Sequence, residues 1–387
     1  MRILLFFFLI ATAIAQSGPR VQTSHTTENL RGVSAVSRQS AWASGTHGTY
    51  LRTTDGGQTW IPGQVPDATT LDFRAVVAFS ANEAFLMSAG PGDQSRIYHT
   101  ADAGQHWQLQ FTNSDPKGFF DSMVFWDPKH GIILGDPIPD EKGKPKFELL
   151  TTEDGKSWHA ISPSQLPEAL DGEGAFAASN SCIALAEEQR FRAASASEKE
   201  GAAADPNIWF ATGGKGARVF HSPDHGKTWE AFNTPILHGP ESAGIFSIAF
   251  RDAHHGVIAG GDYKRPDDDG PNLAFTEDGG KTWTLSELHP QAYFSAVAYD
   301  KQVNAAALRQ QAEQQPEKGI GKRLTKPVAP QRLFVVGEDF IFDFRRPNDP
   351  HRINGKKKQG FAFNAVSPFP EGGALVVGPK GTIAYLP

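Results

Sequence analysis

Carboxylates recur along the chain in one fixed setting. TTDGGQTW (53–60), TADAGQHW (100–107), TTEDGKSW (151–158), SPDHGKTW (222–229) and TEDGGKTW (276–283) share the pattern Ser/Thr-x-Asp/Glu-x-Gly-x-x-Trp. The acids are Asp55, Asp102, Glu153, Asp224 and Asp278, and the closing tryptophans are Trp60, Trp107, Trp158, Trp229 and Trp283. Five acids invite an acid–base or metal-binding reading, but copies of one turn on separate repeat units point away from one another. A structural role fits better. The Asp side chain can bond backbone N–H groups two residues on, Gly supplies a positive-φ position, and Trp packs where the next strand begins. Any chemistry must be sought among residues that do not repeat.

Templates for such chemistry mostly fail. The chain has no G-x-S-x-G elbow, no H-E-x-x-H and no Walker loop. GGKGARV (213–219) lacks the G-x-G-x-x-G spacing and reads as a hairpin turn. Asp267, Asp268, Asp269 and Gly270 lack the alternate spacing of a calcium loop. His254 and His255 point to opposite faces of a strand or turn, so they do not share a metal. Cys182 is the only cysteine, so no intramolecular disulfide forms, and its apolar setting in SNSCIALA reads as a buried inert thiol. No metal and no cofactor is expected.

The elements that position the repeated turns follow from their spacing. Successive box tryptophans lie 47, 51, 71 and 54 residues apart, a period that suits a propeller blade better than a solenoid coil. Ahead of each box comes a first apolar strand, such as FRAVVAF (73–79), DSMVFW (121–126), GAFAAS (174–179) or IFSIAF (245–250). A second follows, such as EAFLMSAG (83–90) or IWFATGG (208–214), and a third runs into the box. With one strand after the box, each unit is a four-stranded antiparallel blade.

Past Trp283 there is room for two more units. AYFSAVAYD (292–300) and RLFVVGEDF (332–340) begin a sixth blade whose box has degenerated around RRPNDPH. FAFNAVS (361–367), ALVVGPKG (374–381) and TIAYLP (382–387) give three strands of a seventh, and VQTSHTTENL (21–30) can supply the fourth and close the ring. The expected fold is an all-β, seven-bladed propeller over residues 16–387, interrupted by insertions at 186–206 and 301–330.

Composition agrees. Across 387 residues there are 39 Gly, 27 Pro, 27 Phe and 8 Trp, which excludes a disordered chain and a helical bundle. The net charge of −6 gives no electrostatic footprint for nucleic acid. MRILLFFFLIATAIAQ places one charge before an apolar run and a small-x-small site, so residues 1–15 read as a signal peptide. The run is short for a permanent anchor, so a periplasmic or extracellular protein is expected.

The repeated box resembles the Asp-box, or BNR repeat, of sialidases, sortilin-type propellers and photosystem II assembly-factor-like propellers, where it joins the third and fourth strands of a blade. ILGDP (133–137), FATGG (210–214), GGDYKRPDD (260–268), FSAVAY (294–299) and VVGPKGTIAYLP (376–387) extend the likeness to exported propellers of the assembly-factor type. That resemblance implies a WD40/YVTN-like scaffold with a binding role. A sialidase-like site would need an arginine triad, and Arg31 in NLRGVSAV lacks the Ile-Pro that usually follows the first one.

Propellers bind at the funnel, where inner strands begin and second-to-third-strand loops project. Those loops hold His47, Arg96, Asp136, Lys215, Asp262, Tyr263, Lys264, Arg265, Glu338, Asp339 and Lys380. Inner-strand starts hold Arg31, Arg74, Asp121, Ser122, Ser295 and Asn364. Arg74, Asp121, Asp136, Lys215, Asp262, Tyr263, Lys264, Arg265 and Asp339 are the ligand-binding candidates. The expected function is an exported, monomeric, non-enzymatic scaffold holding a protein partner or small ligand there. The alternative is a glycoside hydrolase, sialidase-like or otherwise carbohydrate-active, whose funnel carboxylates work as a pair.

Overall fold

The computed structural model describes residues 18–166, 168–186, 206–287, 292–301, 332–337, 340–344, 350–352 and 362–387. The signal-peptide reading, nearly all of both insertions, Glu338, Asp339 and most of the degenerate sixth box fall outside these residues.

Seven antiparallel sheets stand around an axis. Blade 1 runs from an inner strand, Leu30–Ala35, through Ala41–Gly45 and Thr49–Thr53 to an outer strand, Ile61–Gln64. Blades 2 and 3 begin at Phe73–Ala78 and Phe120–Asp127, and blades 5 and 6 begin at Ala243–Phe250 and Phe294–Tyr299. Blade 7 carries Ala365–Pro368, Ala374–Gly378 and Thr382–Leu386, and its outermost strand is Arg20–Gln22 from the other end of the chain. Arg20, Val21 and Gln22 pair with Tyr385, Ala384 and Ile383, which closes the ring. Gln22 also fastens this seam to blade 1, because its amide donates to the Gly56 carbonyl at 3.2 Å and accepts from the Trp60 indole at 2.9 Å.

Second strands such as Ala41–Gly45 and Ala84–Ser88 are buried at every position, because a blade is covered on both faces by its neighbours. Sequences so placed are continuous apolar or small runs rather than alternating ones. The core is accordingly divided into seven clusters, one between each pair of adjacent blades. Each box tryptophan packs toward the preceding blade: Trp60 against Leu375 and Phe369, Trp158 against Phe85 and Phe125, Trp229 against Phe210 and Val124. Truncating so large a buried side chain to alanine costs about 3–5 kcal/mol, so the repeat welds neighbouring blades together.

The box turns share one bonding scheme. In blade 1, Thr53 Oγ1 donates to Asp55 Oδ1 at 2.9 Å and accepts from the Gly57 amide at 2.9 Å, and Asp55 Oδ1 also accepts the Thr59 amide at 2.9 Å. The carboxylate therefore reaches an amide four residues on, not two. Thr100–Asp102, Ser222–Asp224 and Thr276–Asp278 repeat the scheme. The third box corrects the sequence reading. Its acid is Asp154, which accepts from the Thr152 hydroxyl at 3.2 Å and from the Lys156 and Ser157 amides, both at 2.7 Å. Glu153 is exposed and takes no part. This box is one residue shorter, with the Gly155 amide donating to Thr152 three residues back.

Blade 4 brings a second correction. Its inner strand is Ile183–Leu185, which pairs with Ile208–Ala211, and GAFAAS is not that strand. Glu173–Gly174 pairs instead with Gly213–Gly214, which bridges to blade 5 at Gly244 and makes that sheet six-stranded. A Cβ on Gly244 would lie 2.3 Å from the Gly213 Cα, so the two backbones approach at a distance only glycine permits. Residues 175–179 then leave the sheet altogether.

Candidate functional site

Five inner strands carry a register shift near their start, after the first residue in four of them and after the third in blade 5. It falls between Leu30 and Gly32, Phe73 and Ala75, Phe120 and Ser122, Ile245 and Ser247, and Phe294 and Ala296. A bulge leaves its extra residue unpaired and re-aims its side chain. The re-aimed residues are Arg31, Arg74, Asp121, Phe246 and Ser295. Asn364 precedes the inner strand of blade 7, and its side chain donates to the Leu30 carbonyl at 2.7 Å. The funnel end is thus lined by one non-repeating residue from each of six blades, five of them held by a repeating device.

Into this ring comes the chain's own segment, residues 173–181. Arg74 Nη1 from blade 2 donates to the Ala177 carbonyl at 2.9 Å. From blade 3, Asp136 Oδ1 accepts the Ala175 amide at 3.0 Å. Asn180 Oδ1 accepts from the Ser122 hydroxyl at 3.1 Å and from the Met123 amide at 2.7 Å. Ser181 meets Ser247 of blade 5 at 2.7 Å, and Ser179 donates to the Ser295 carbonyl of blade 6 at 2.8 Å. Phe176 stacks on Phe246 with centroids 3.9 Å apart, and Tyr293 and Tyr263 meet Phe246 edge-on at 4.7 and 6.1 Å. Contacts to four blades besides its own make the segment a plug across the axis.

Charge divides across the ring. Asp72 lies between Arg74, at 2.9 Å, and Arg31, at 3.5 Å, so two guanidiniums share one carboxylate. Burial lowers the Arg31 pKa, with Asp72 opposing, and Arg31 Nε and Asp72 Oδ1 are buried without hydrogen-bond partners. On the blade 3 side, Asp121 is 1% exposed and its Oδ2 is unpartnered. Burial, then the neighbouring Asp136, push the Asp121 carboxyl well above the ordinary range. Burial pushes Asp136 up to about 6 and also raises Glu148, which accepts from Asn113 Nδ2 at 2.8 Å. Cys182 lies buried beside this group, and burial pushes its thiol up, far from a nucleophile's range.

The remaining candidates stand on the rim. Burial works against the Asp262 charge, but hydrogen bonds from Ser242, Arg265 and the Lys264 amide hold its pKa below the usual value. Its Oδ2 takes Arg265 Nε at 3.0 Å, and its side chain is 1% exposed, so Asp262 anchors the 260–270 loop rather than facing a ligand. That anchoring presents Tyr263, 48% exposed, with the Lys264 ammonium 6.0 Å from its ring. Lys215 and Lys264 are exposed, and Arg265 also pairs with Asp268 at 3.2 Å. The structure therefore gathers Arg74, Asp121 and Asp136 at the axis and leaves Lys215, Tyr263, Lys264 and Arg265 at the rim.

Sequence reasoning missed Asp72, Phe176, Phe246 and Tyr293. A signal for Phe246 existed, since Ile-Phe-Ser matches Leu-Arg-Gly, Phe-Arg-Ala, Phe-Asp-Ser and Phe-Ser-Ala at the bulge. The plug left none. Two carboxylates, Asp121 and Asp136, do lie in the funnel, one buried and one part-buried. Cavities of about 540 and 690 Å³ lie elsewhere, one beside Pro91, Asp93, Asn113 and Pro116 and one along Val21–Thr27 at the ring seam. Neither holds a carboxylate pair. Among the described residues no three metal-ligating side chains cluster.

Three comparisons bear on kinship. Residues 14–116 match the family model described as Photosynthesis system II assembly factor YCF48. The chain is 27% identical over 273 residues to Photosystem II assembly protein Ycf48 of Thermosynechococcus vestitus, covering 67% of this chain and 72% of that protein. A solved structure titled "YCF48 bound to D1 peptide" superposes with a TM-score of 0.59 at 16% identity, covering 97% of this chain and 98% of the other. YCF48 from Cyanidioschyzon merolae gives 0.58 at 15% identity, covering 95% and 98%. The chain is an Asp-box repeat propeller resembling those of the photosystem II assembly factors.

Proposed function

We propose that this chain is an exported, non-enzymatic propeller that holds a segment of a protein partner against its funnel face. One observation carries the reading. Of the acids at the axis, Asp121 is buried and Asp136 is part-buried with its Oδ1 on the Ala175 amide, whereas the groups turned outward there are recognition groups. Those groups are Tyr263, Lys215, Lys264 and Arg265 at the rim, with Arg31 and Arg74 part-exposed nearer the axis. Aromatic rings and cations on a rigid scaffold suit binding more than turnover. Asp72 and Asp262 lie largely inside, while Asp268 pairs with Arg265 on the outside, so the rim offers cations and carboxylates side by side for polar recognition of a partner segment.

Kinship supports the same reading. The cyanobacterial relative is an assembly protein, and one similar structure holds a peptide. Export rests on the charged, apolar and small-residue succession of residues 1–16.

The glycoside hydrolase reading needs a carboxylate pair open to substrate and water. A panel of fluorogenic glycosides and sialosides, assayed from pH 4 to 8, separates the two. No turnover is expected from the wild type. Turnover that disappears in Asp136→Asn would overturn the binding reading in favour of the hydrolase.

A further inference from the structure

We propose that Asp121 and Asp136 form a proton-operated latch for residues 173–181, which seat across the axis while the pair holds a proton and lift when both carboxylates ionise. The inference stands apart from the partner-binding reading, because it concerns only how the chain closes its own channel.

The ends of the segment are fixed independently of the latch. Glu173, with no side-chain exposure, is gripped by Arg218 and accepts the Thr212 hydroxyl at 2.6 Å. Asn180 and Ser181 are tied to Ser122, Met123 and Ser247. Between these anchors Asp136 accepts the Ala175 amide, Arg74 donates to the Ala177 carbonyl, Phe176 stacks on Phe246 and Ser179 donates to the Ser295 carbonyl. Asp121 is buried beside this segment with its Oδ2 lacking a donor, and the Asp136 charge acts on it.

The surrounding charges do not cancel this. Arg74 from blade 2 is the cation opposing the Asp121 shift, and it already serves Asp72. Arg31 from blade 1 lies on the far side of Asp72 and faces Tyr293 of blade 6. Glu148 of blade 3 adds further negative charge, and the Cys182 thiol at the start of blade 4 stays neutral. Glu173 and Arg218 of blade 4 neutralise each other. Blade 5 presents Phe246, Ser247 and Gly244, and blade 6 presents Ser295, none of them titratable near neutrality.

Burial favours the neutral acid, and like charge adds to it at Asp121. Lifting the segment admits water and returns both acids toward the usual carboxylate range. A group whose pKa is raised in the seated state stabilises that state in acid and loses the contribution as pH rises through the raised value. With Asp136 at about 6, the opening equilibrium should rise roughly tenfold between pH 5 and 7.5 from this group alone.

Hydrogen exchange of the full chain, read by mass spectrometry and corrected for intrinsic rates, tests the latch. The peptide spanning 173–181 should lose protection by about tenfold between those two pH values, while the box peptide at 53–60 stays flat. Asp136→Asn, whose amide oxygen can still accept the Ala175 N–H, should remove the tenfold contribution of this group and so reduce the pH dependence. At pH 7.5 the same variant should slow maleimide labelling of Cys182, a comparison at one pH in which thiol ionisation is common to both proteins. Protection of 173–181 in the wild type that does not change with pH overturns the latch, whether or not the variant folds. So does an undiminished pH dependence in Asp136→Asn.

Discussion

A threonine decides which acid works in the third box. The sequence TTEDG fits the repeat in two registers, Thr151 with Glu153 or Thr152 with Asp154. The first keeps the spacing of the other boxes and is the one that pattern matching selects. The strand decides otherwise. The hydroxyl residue at this position is buried in every box, at 2% exposure or less for Thr53, Thr100 and Ser222, and only Thr152 meets that condition here, at 1%. Slipping by one residue would turn each side chain of Pro145–Thr152 to the opposite face, exposing those that now pack. Asp154→Asn should therefore lower the thermal midpoint, and Glu153→Gln should leave it unchanged. The reverse order in a melting series would restore the sequence register. Backbone amides hold Asp154 at about 2, and the His106 amide and ring do the same for Asp102. Such groups stabilise the fold above the ordinary carboxylate range and lose their contribution as pH falls through about 2.

At the level of strands, the readable parts were those with a period. One box per blade located the third and fourth strands, and continuous apolar runs located the second. GAFAAS misled because apolar and small residues fit an inner strand as well as they fit a segment threading a narrow channel. Alanine and glycine there leave room for side chains of blades 2 and 3 to reach the backbone, as Arg74 and Asp136 do. The contact between Gly213 and Gly244 joins this irregular region to blade 5, and Gly244 has a φ of 155°, outside the range L-residues favour. Gly244→Ala forces a Cβ against backbone that has no flexible end to move. It should cost about 2 kcal/mol or more, visible as a shifted denaturant midpoint with an unchanged slope. A substitution without effect would mean that the two sheets are not joined there.

For the molecule as a whole, the ring converts sequence repetition into a surface that does not repeat. Boxes, second strands and tryptophans serve the seven interfaces, and each bulge releases one unconstrained position toward the axis. The candidate site was thus legible as a set of places, through Arg74, Asp121 and Asp136. Its accessibility was not legible, because the plug depends on contacts between residues far apart in sequence, such as Ser179 with Ser295. The central claim is that the funnel face, and not the outer wall, receives a protein. Photo-cross-linking in the native cells tests it most directly, with benzoylphenylalanine placed at Tyr263 on the funnel rim or at Ile61 on the outer strand of blade 1. These positions are similarly exposed, at 48% and 54%. A discrete adduct of one defined mass from position 263 and none from position 61 is the predicted result. No adduct from 263, or the same adducts from both positions, would contradict it.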